Sequence, residues 1–371
     1  MARNTPTGEL RTGWTTGACA AAAAKAAFCA LAGAGFPDPV RIRLPKGELP
    51  DFPLTERRLD ETEASAAVVK DAGDDPDVTH GATVRATLRR AAAGAGLVFK
   101  AGEGVGTVTK AGLPVAVGEP AINPKPREII AANLAEAADA VDWKGPLDLE
   151  VEIAIPGGEA LAAKTWNPRL GIVGGLSVLG TTGVVHPFSC SAWIHSIHRG
   201  IDVARAAGFV HVAGSTGSTS EAVVQRLHDL PLEALIDMGD FAGGMLKYLR
   251  RHPVPQVTIA GGFAKLVKLA QGAGDLHSSR SQVDFAKLAR TAARIGAEAA
   301  LVERIAAANT AAEALSLARA ADLPLADAIA RQARETGRAI LGDAGVRLEI
   351  LIVDRAGTPI AATDAGLAAR L

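Results

Sequence analysis

The stretch FVHVAGSTGSTSEAVVQRLH, residues 209–228, decides the fold. Residues 209–213 are a short apolar strand run, residues 220–228 carry apolar positions at helical spacing, and a glycine-rich turn lies between them. The pattern recurs twice, as strand 234–238 with helix 242–251 and as strand 256–260 with helix 264–271. Three consecutive strand-then-helix units imply a parallel sheet with right-handed crossovers. Alanine-rich helices are expected within 283–341, and 347–353 reads as a last apolar strand. Residues 190–371 are therefore expected to form a Rossmann-like open α/β domain.

In such sheets ligands bind beyond the carboxyl ends of the strands, where loops enter helix N-termini. The loops expected there are Gly214-Ser215-Thr216-Gly217, then Gly239-Asp240, then Gly261-Gly262. Glycine permits close approach of a ligand to the backbone, and Ser218 with Glu221 has the spacing of a capping box.

Outward toward the N-terminus the pattern changes. Residues 16–31 form an alanine-rich helix with Thr15 or Thr16 as N-cap, and a helix is expected at 126–140. Strands are expected at 40–44, 67–70, 83–88, 107–110, 149–155 and 160–165. This gives an α+β domain over 1–166, a glycine-rich connecting loop at the domain interface over 167–189, and the α/β domain over 190–371. The fold class is α/β.

The loop NPRLGIVGGLSVLGTTG, 167–183, has two readings. Its five glycines either serve tight turns, or bare successive N–H and C=O groups to a ligand, with Thr181 and Thr182 adding hydroxyls. Thr15-Thr16-Gly17 offers a helix N-terminus to an anion. Farther on, Lys265 and Lys268 lie three apart, and HSSRSQVD, 277–284, joins a cation to hydroxyls and a carboxylate. A solvated charged loop is the plain alternative; for a polyanionic ligand, Arg280 and the lysines are the natural partners.

Composition excludes several classes. With 39 basic against 40 acidic residues, a net charge of -1 argues against a partner held by bulk attraction to nucleic-acid phosphate. At 48% hydrophobic and 21% charged the chain is globular. Three cysteines, Cys19, Cys29 and Cys190, make no CxxC pair, which fits a reducing, cytoplasmic setting. MARNTPTGEL has no signal-peptide core. The charge-free run 170–198 is too broken by glycine and proline to span a membrane.

No Gly-Lys dipeptide occurs, so a Walker A loop is excluded, and no GxGxxG or GxSxG is present. The nearest metal candidate is His195 with His198 and Cys190; such pairs are more often satisfied structural residues, and no protein-bound metal is expected.

The strings themselves carry a resemblance. RTGWTTGACAAAAAKAA (11–27) and NPRLGIVGGLSVLGTTGVVHP (167–187) closely resemble signatures of the cobalt-precorrin-5B C1-methyltransferase family, the CbiD family of cobalamin biosynthesis. MGDFAGGMLK (238–247), GGFAKLVKLAQG (261–272) and HSSRSQVD (277–284) are similar to three further blocks in the family's order. Residues 186–208 and Phe263 depart from the pattern, which puts any role for His195 or His198 in doubt.

The resemblance implies methyl transfer from S-adenosylmethionine to ring carbon C1 of a cobalt corrinoid, giving cobalt-precorrin-6A. Asp240 is then the first candidate for acid-base or donor-orienting work, with His277 second. Donor contacts are expected at Gly171, Gly174, Gly175, Thr181, Thr182, Gly214, Ser215, Gly217 and Gly239. Corrinoid contacts are expected at Thr15, Thr16, Gly17, Gly261, Gly262, Lys265, Ser278 and Arg280, although the residues alone leave the division of loops between donor and corrinoid open. Neighbouring pathway enzymes or a second copy of the chain are the expected protein partners, with no nucleic acid and no membrane. A nicotinamide-dependent oxidoreductase and a non-catalytic corrinoid carrier stand as alternatives on the same scaffold.

Overall fold

The computed structural model describes residues 10–364; the N-terminal segment 1–9, read above for a signal peptide, and 365–371 lie outside the described residues. The chain divides into two compact units, Met1–Cys190 and Ser191–Leu371.

In the first unit, helix α1 (Thr16–Leu31) starts where the Thr15 side chain accepts from the Ala18 N–H at 3.2 Å. Its alanines favour the helix intrinsically. Every residue from Thr16 to Ala24 is buried, so the helix has no solvent face to speak of. It packs between helix α2 (Pro124–Ala140) and a five-stranded sheet. The strands are β1 (Glu56–Leu59), β2 (Glu63–Val69), β3 (Thr83–Arg90), β4 (Leu97–Ala101) and β5 (Leu149–Ala154), in the order β1-β2-β3-β5-β4. All neighbours are antiparallel except β4 and β5.

A buried lysine makes an ion pair in this unit: Lys70, 1% exposed, places Nζ 2.6 Å from Asp77 Oδ2. Burial opposes ionisation of Asp77, but the Lys70 charge and hydrogen bonds from Lys70 and Thr79 prevail and hold its carboxyl below the usual range.

The sequence misses β1, whose residues are all exposed, and edge strand β4. Residues 160–165, expected as a strand, instead lie in the short helix Gly158–Ala162 and a following turn. Gly157 at φ 74° turns the chain, and Ala-Leu-Ala is better helix than strand. The expected strand 40–44 shrinks to Val40–Arg41, paired with Asp51–Phe52.

The second unit begins in helix α3 (Cys190–Ala206). It contains an open sheet of β6 (His211–Ser215), β7 (Leu235–Asp237), β8 (Gln256–Gly262), β9 (Arg347–Val353) and β10 (Pro359–Ala362). The order is β7-β6-β8-β9-β10, with the first four parallel and β10 antiparallel. Helices α4 (Ser218–His228), α5 (Ala242–Arg251) and α6 (Phe263–Ala270) follow β6, β7 and β8 in turn. Four more helices, α7 (Phe285–Arg294), α8 (Ala299–Ala306), α9 (Ala311–Ala320) and α10 (Leu325–Leu341), precede β9.

Side chains alternate across this sheet. On one face Ala213, Ala260 and Leu351 pack with Val223 and Val224 of α4. On the other, Gly214 leaves room for Met245 of α5 and Gly337 of α10 fits against Leu348. The sheet is thus covered by helices on both faces.

Candidate functional site

The chain leaves β6 for β7 on one side and then crosses to β8 on the other. The strand order reverses between β6 and β8. A crevice opens beyond the carboxyl ends at such a switch point, because the two following loops diverge. Here the ends of the two strands and the turns after them hold Ser215, Thr216 and Gly217, and Gly261 and Gly262. Thr216 N–H donates to the Ala260 carbonyl at 3.0 Å, and a Cβ on Gly261 would stand 2.8 Å from Thr216 Cγ2. The absence of a side chain at Gly261 keeps the two loops in register. Ser215, 1% exposed, has a buried Oγ with no hydrogen-bond partner. A buried hydroxyl left unpaired costs about 1 to 3 kcal/mol, so it marks a place for a ligand or water.

The loop after β7 joins this site. Gly239, at φ 54°, donates its N–H to the Ser215 carbonyl at 3.0 Å. The next residue, Asp240, forms an ion pair with Lys265 of α6. Lys265 Nζ also donates to the Leu276 carbonyl at 3.2 Å, and Lys268 Nζ to the same oxygen at 2.9 Å. Burial, and then the neighbouring Lys265, push the Lys268 ammonium below its ordinary pKa. Leu276 N–H returns to the Asp240 main-chain oxygen at 2.8 Å. Residues distant in sequence are thereby locked into one cluster.

His277, Ser278 and Arg280 follow directly and are exposed. The His277 ring is engaged locally, with Nδ1 2.7 Å from Ser279 Oγ. The expected Ser218 and Glu221 capping box is not formed: Gly217 is the N-cap, and Ser220 Oγ donates to its carbonyl at 2.9 Å. Gly214 is buried beneath Met245 Sδ, where a Cβ would come within 2.4 Å, so its role is helix-to-sheet packing and not donor contact. Trp193, which sequence reading passed over, donates Nε1–H to the Asp237 carbonyl at 3.0 Å and lies against Gly239.

The glycine-rich segment 167–183 belongs to the first unit. Ile172–Val173 pairs with Thr107–Val108, Leu176 N–H donates to Gly104, and Val178 N–H donates to Ala121. A Cβ on Gly175 would stand 2.2 Å from the Gly104 carbonyl oxygen, and one on Gly171 2.5 Å from Lys110 Cγ. These glycines permit close packing within the unit. Gly174, at φ 85°, and Thr181 are exposed, while Thr182 Oγ1 accepts from the Val184 N–H at 3.3 Å.

Thr15, Thr16 and Gly17 are buried against this segment, with Thr15 N–H donating to Gly183 and Gly17 N–H to Leu179. Those donors, and the Ala18 N–H held by Thr15 Oγ1, are spent inside the chain instead of standing open to an anion. His195 and His198 share α3 with ring centroids 6.2 Å apart, and His198 stacks on Tyr248 at 3.9 Å. No helix among the described residues is long and apolar enough to cross a membrane.

Fold and site define an α/β protein with polar, glycine-rich strand ends at the switch point of its second unit. The sequence profile of the CbiD family matches residues 3–187, and that of the CbiD C-terminal domain matches 275–364. The chain is 64% identical over 351 residues to the cobalt-precorrin-5B C(1)-methyltransferase of Paramagnetospirillum magneticum, covering 95% of this chain and 97% of the relative. It is 62% identical over 348 residues to the protein of that name from Halorhodospira halophila, covering 94% and 93%. A crystal structure of cobalamin biosynthesis protein (cbiD) from Archaeoglobus fulgidus aligns with TM-score 0.39 and 27% identity over 74% of this chain and 84% of the other. The chain belongs to the CbiD family.

Proposed function

We propose that this chain methylates ring carbon C1 of cobalt-precorrin-5B, with S-adenosylmethionine as donor, to give cobalt-precorrin-6A. Relatives 60–64% identical over nearly the whole chain carry the name of that activity, and none of those matched here supports the oxidoreductase or carrier alternative. The observation in the molecule that carries the reading is the β6/β8 switch point, with the buried, unpaired Ser215 hydroxyl at the end of β6.

When bound, the donor supplies a methyl group on a positively charged sulfur. The carbon–sulfur bond breaks with its electron pair staying on sulfur, a carbon–carbon bond forms at C1, and the macrocycle gives up one proton. No strong protein nucleophile is needed. Oriented proximity is worth about 7 to 11 kcal/mol, so the chain's task is to hold the reactants in line.

In this reading Ser215, Gly217 and Gly239 with the N-terminus of α4 receive the donor. Asp240, held by Lys265, orients it or takes the proton. Lys265 and Arg280 meet acetate and propionate arms of the macrocycle, as cations suited to carboxylates. The packing seen around Gly171, Gly175 and Thr15 removes them from this proposal.

Incubation with methyl-labelled donor and cobalt-precorrin-5B should put one labelled methyl on C1; no incorporation would sink the reading. The location is tested by calorimetry with S-adenosylhomocysteine on Gly261→Val and Asp240→Ala. Unchanged affinity in both folded variants would move the donor elsewhere.

A further inference from the structure

On the α4-covered face of the second unit's sheet, at the opposite end of β6 from Ser215, three metal-binding side chains converge. His211 opens β6, His228 closes α4, and Glu349 lies on β9; their ligand atoms all fall within 4.8 Å of one another. Four residues of strand, about 13 Å, separate His211 from Ser215 along β6.

The cluster has unmet bonding demand. Glu349 is 3% exposed, yet Oε1 has no hydrogen-bond partner. His228 Nε2 lies 3.2 Å from Glu349 Oε2, but it too lacks a hydrogen-bond partner although buried. Fully buried Thr258 donates its hydroxyl to Glu349 Oε2 at 2.8 Å and lies 2.8 Å from His211 Nε2. Two buried orphan atoms side by side, each a good metal donor, are costly without an occupant.

We infer that His211, His228 and Glu349 bind a divalent first-row transition cation of the zinc type, with Thr258 orienting the carboxylate. Two imidazoles and a carboxylate form a known zinc donor set, and metal–ligand bonds near 2.0 Å place tetrahedral ligand atoms about 3.3 Å apart. The His228–Glu349 spacing of 3.2 Å already has that value, and the His211 ligand atom lies within 4.8 Å of the other two. The bound cation would tie the end of α4 to β6 and β9 across the sheet, a structural role remote from the crevice. Sequence reading expects no protein-bound metal because long stretches of chain separate these residues and no motif joins them.

The test uses the full chain stripped with chelator and titrated with Zn2+ alone by calorimetry, with Co2+ absorption as a coordination probe. One equivalent should bind and raise the melting temperature; His228→Ala and Glu349→Gln should each bind at least about tenfold more weakly, and Thr258→Val about tenfold more weakly. Circular dichroism checks that each variant is folded, and His228→Ala, at a helix end, alters the core least. Absence of binding in the wild type overturns the inference. So does binding that survives His228→Ala and Glu349→Gln but is lost in a His195→Ala/His198→Ala variant.

Discussion

Lys265 closes an ion pair with Asp240 across the mouth of the second unit's sheet, while the Leu276 carbonyl accepts from both Lys265 and Lys268. The pair fixes the carboxylate at the strand end without burying it. Asp240→Asn should therefore leave the fold intact and lower turnover about 100-fold or more, the usual scale for losing a positioned acid-base group. Lys265→Met should weaken corrinoid binding more than turnover. Steady-state transfer of labelled methyl, analysed for kcat and KM separately, decides both.

Two adjacent glycines make a stability contrast. Gly174, at φ 85° with open space around it, should cost about 1 kcal/mol on conversion to alanine, the strain of a left-handed backbone. Gly175→Ala would press a methyl group to 2.2 Å from the Gly104 carbonyl and should cost several times more, because backbone cannot swing aside. Denaturant midpoints of the two variants measure the difference; similar midpoints would contradict the packing role.

The Lys70–Asp77 pair, its lysine buried, should contribute to the acid response of the first unit. Removing one partner of a buried pair typically costs about 3 to 5 kcal/mol, so Lys70→Met should destabilise strongly and Lys70→Met/Asp77→Asn less than the single change. Asp77 has a lowered pKa in the folded state. The unfolded state thus takes the proton first as pH falls, and the pair's contribution, complete above the ordinary carboxylate range, declines below about pH 4. Wild type and the double variant should therefore differ in unfolding curves at pH 7, and the gap should narrow at pH 3.

The three thiols should separate kinetically. Cys190 is exposed, whereas Cys19 is fully buried and burial pushes its thiol up to about 12. A thiol reagent at pH 8 should label Cys190 within minutes and leave Cys19 untouched until the chain unfolds; mass spectrometry of the labelled chain reads this directly.

Where local pattern dictates structure, sequence reading carries far. Helix 242–251 and strand 347–353 match their observed bounds, since each is a short apolar-periodic run between clear breakers. The β6/β8 loops were likewise legible, because a strand-then-helix repeat forces its turns to one end of a sheet. Strand β1 is invisible in the sequence, as its exposed Glu-Arg-Arg-Leu carries no apolar alternation and is held by pairing with β2 and by ion pairs such as Glu56–Arg85. Asp240 was legible as a strand-end carboxylate, but its partner was not, for Lys265 reaches it only after two elements have packed. The glycines of 167–183 were read as open to either role; Gly104, whose carbonyl sits against Gly175, gives no hint of that contact in sequence.

Helix α1 also sets an order of events during synthesis. It leaves the ribosome before the surfaces that cover it, β2, β3 and α2, have been made. An alanine-rich helix of 16 residues with no tertiary cover is marginal in water. The nascent helix is therefore left without its full cover until β2, β3 and finally α2 have followed it.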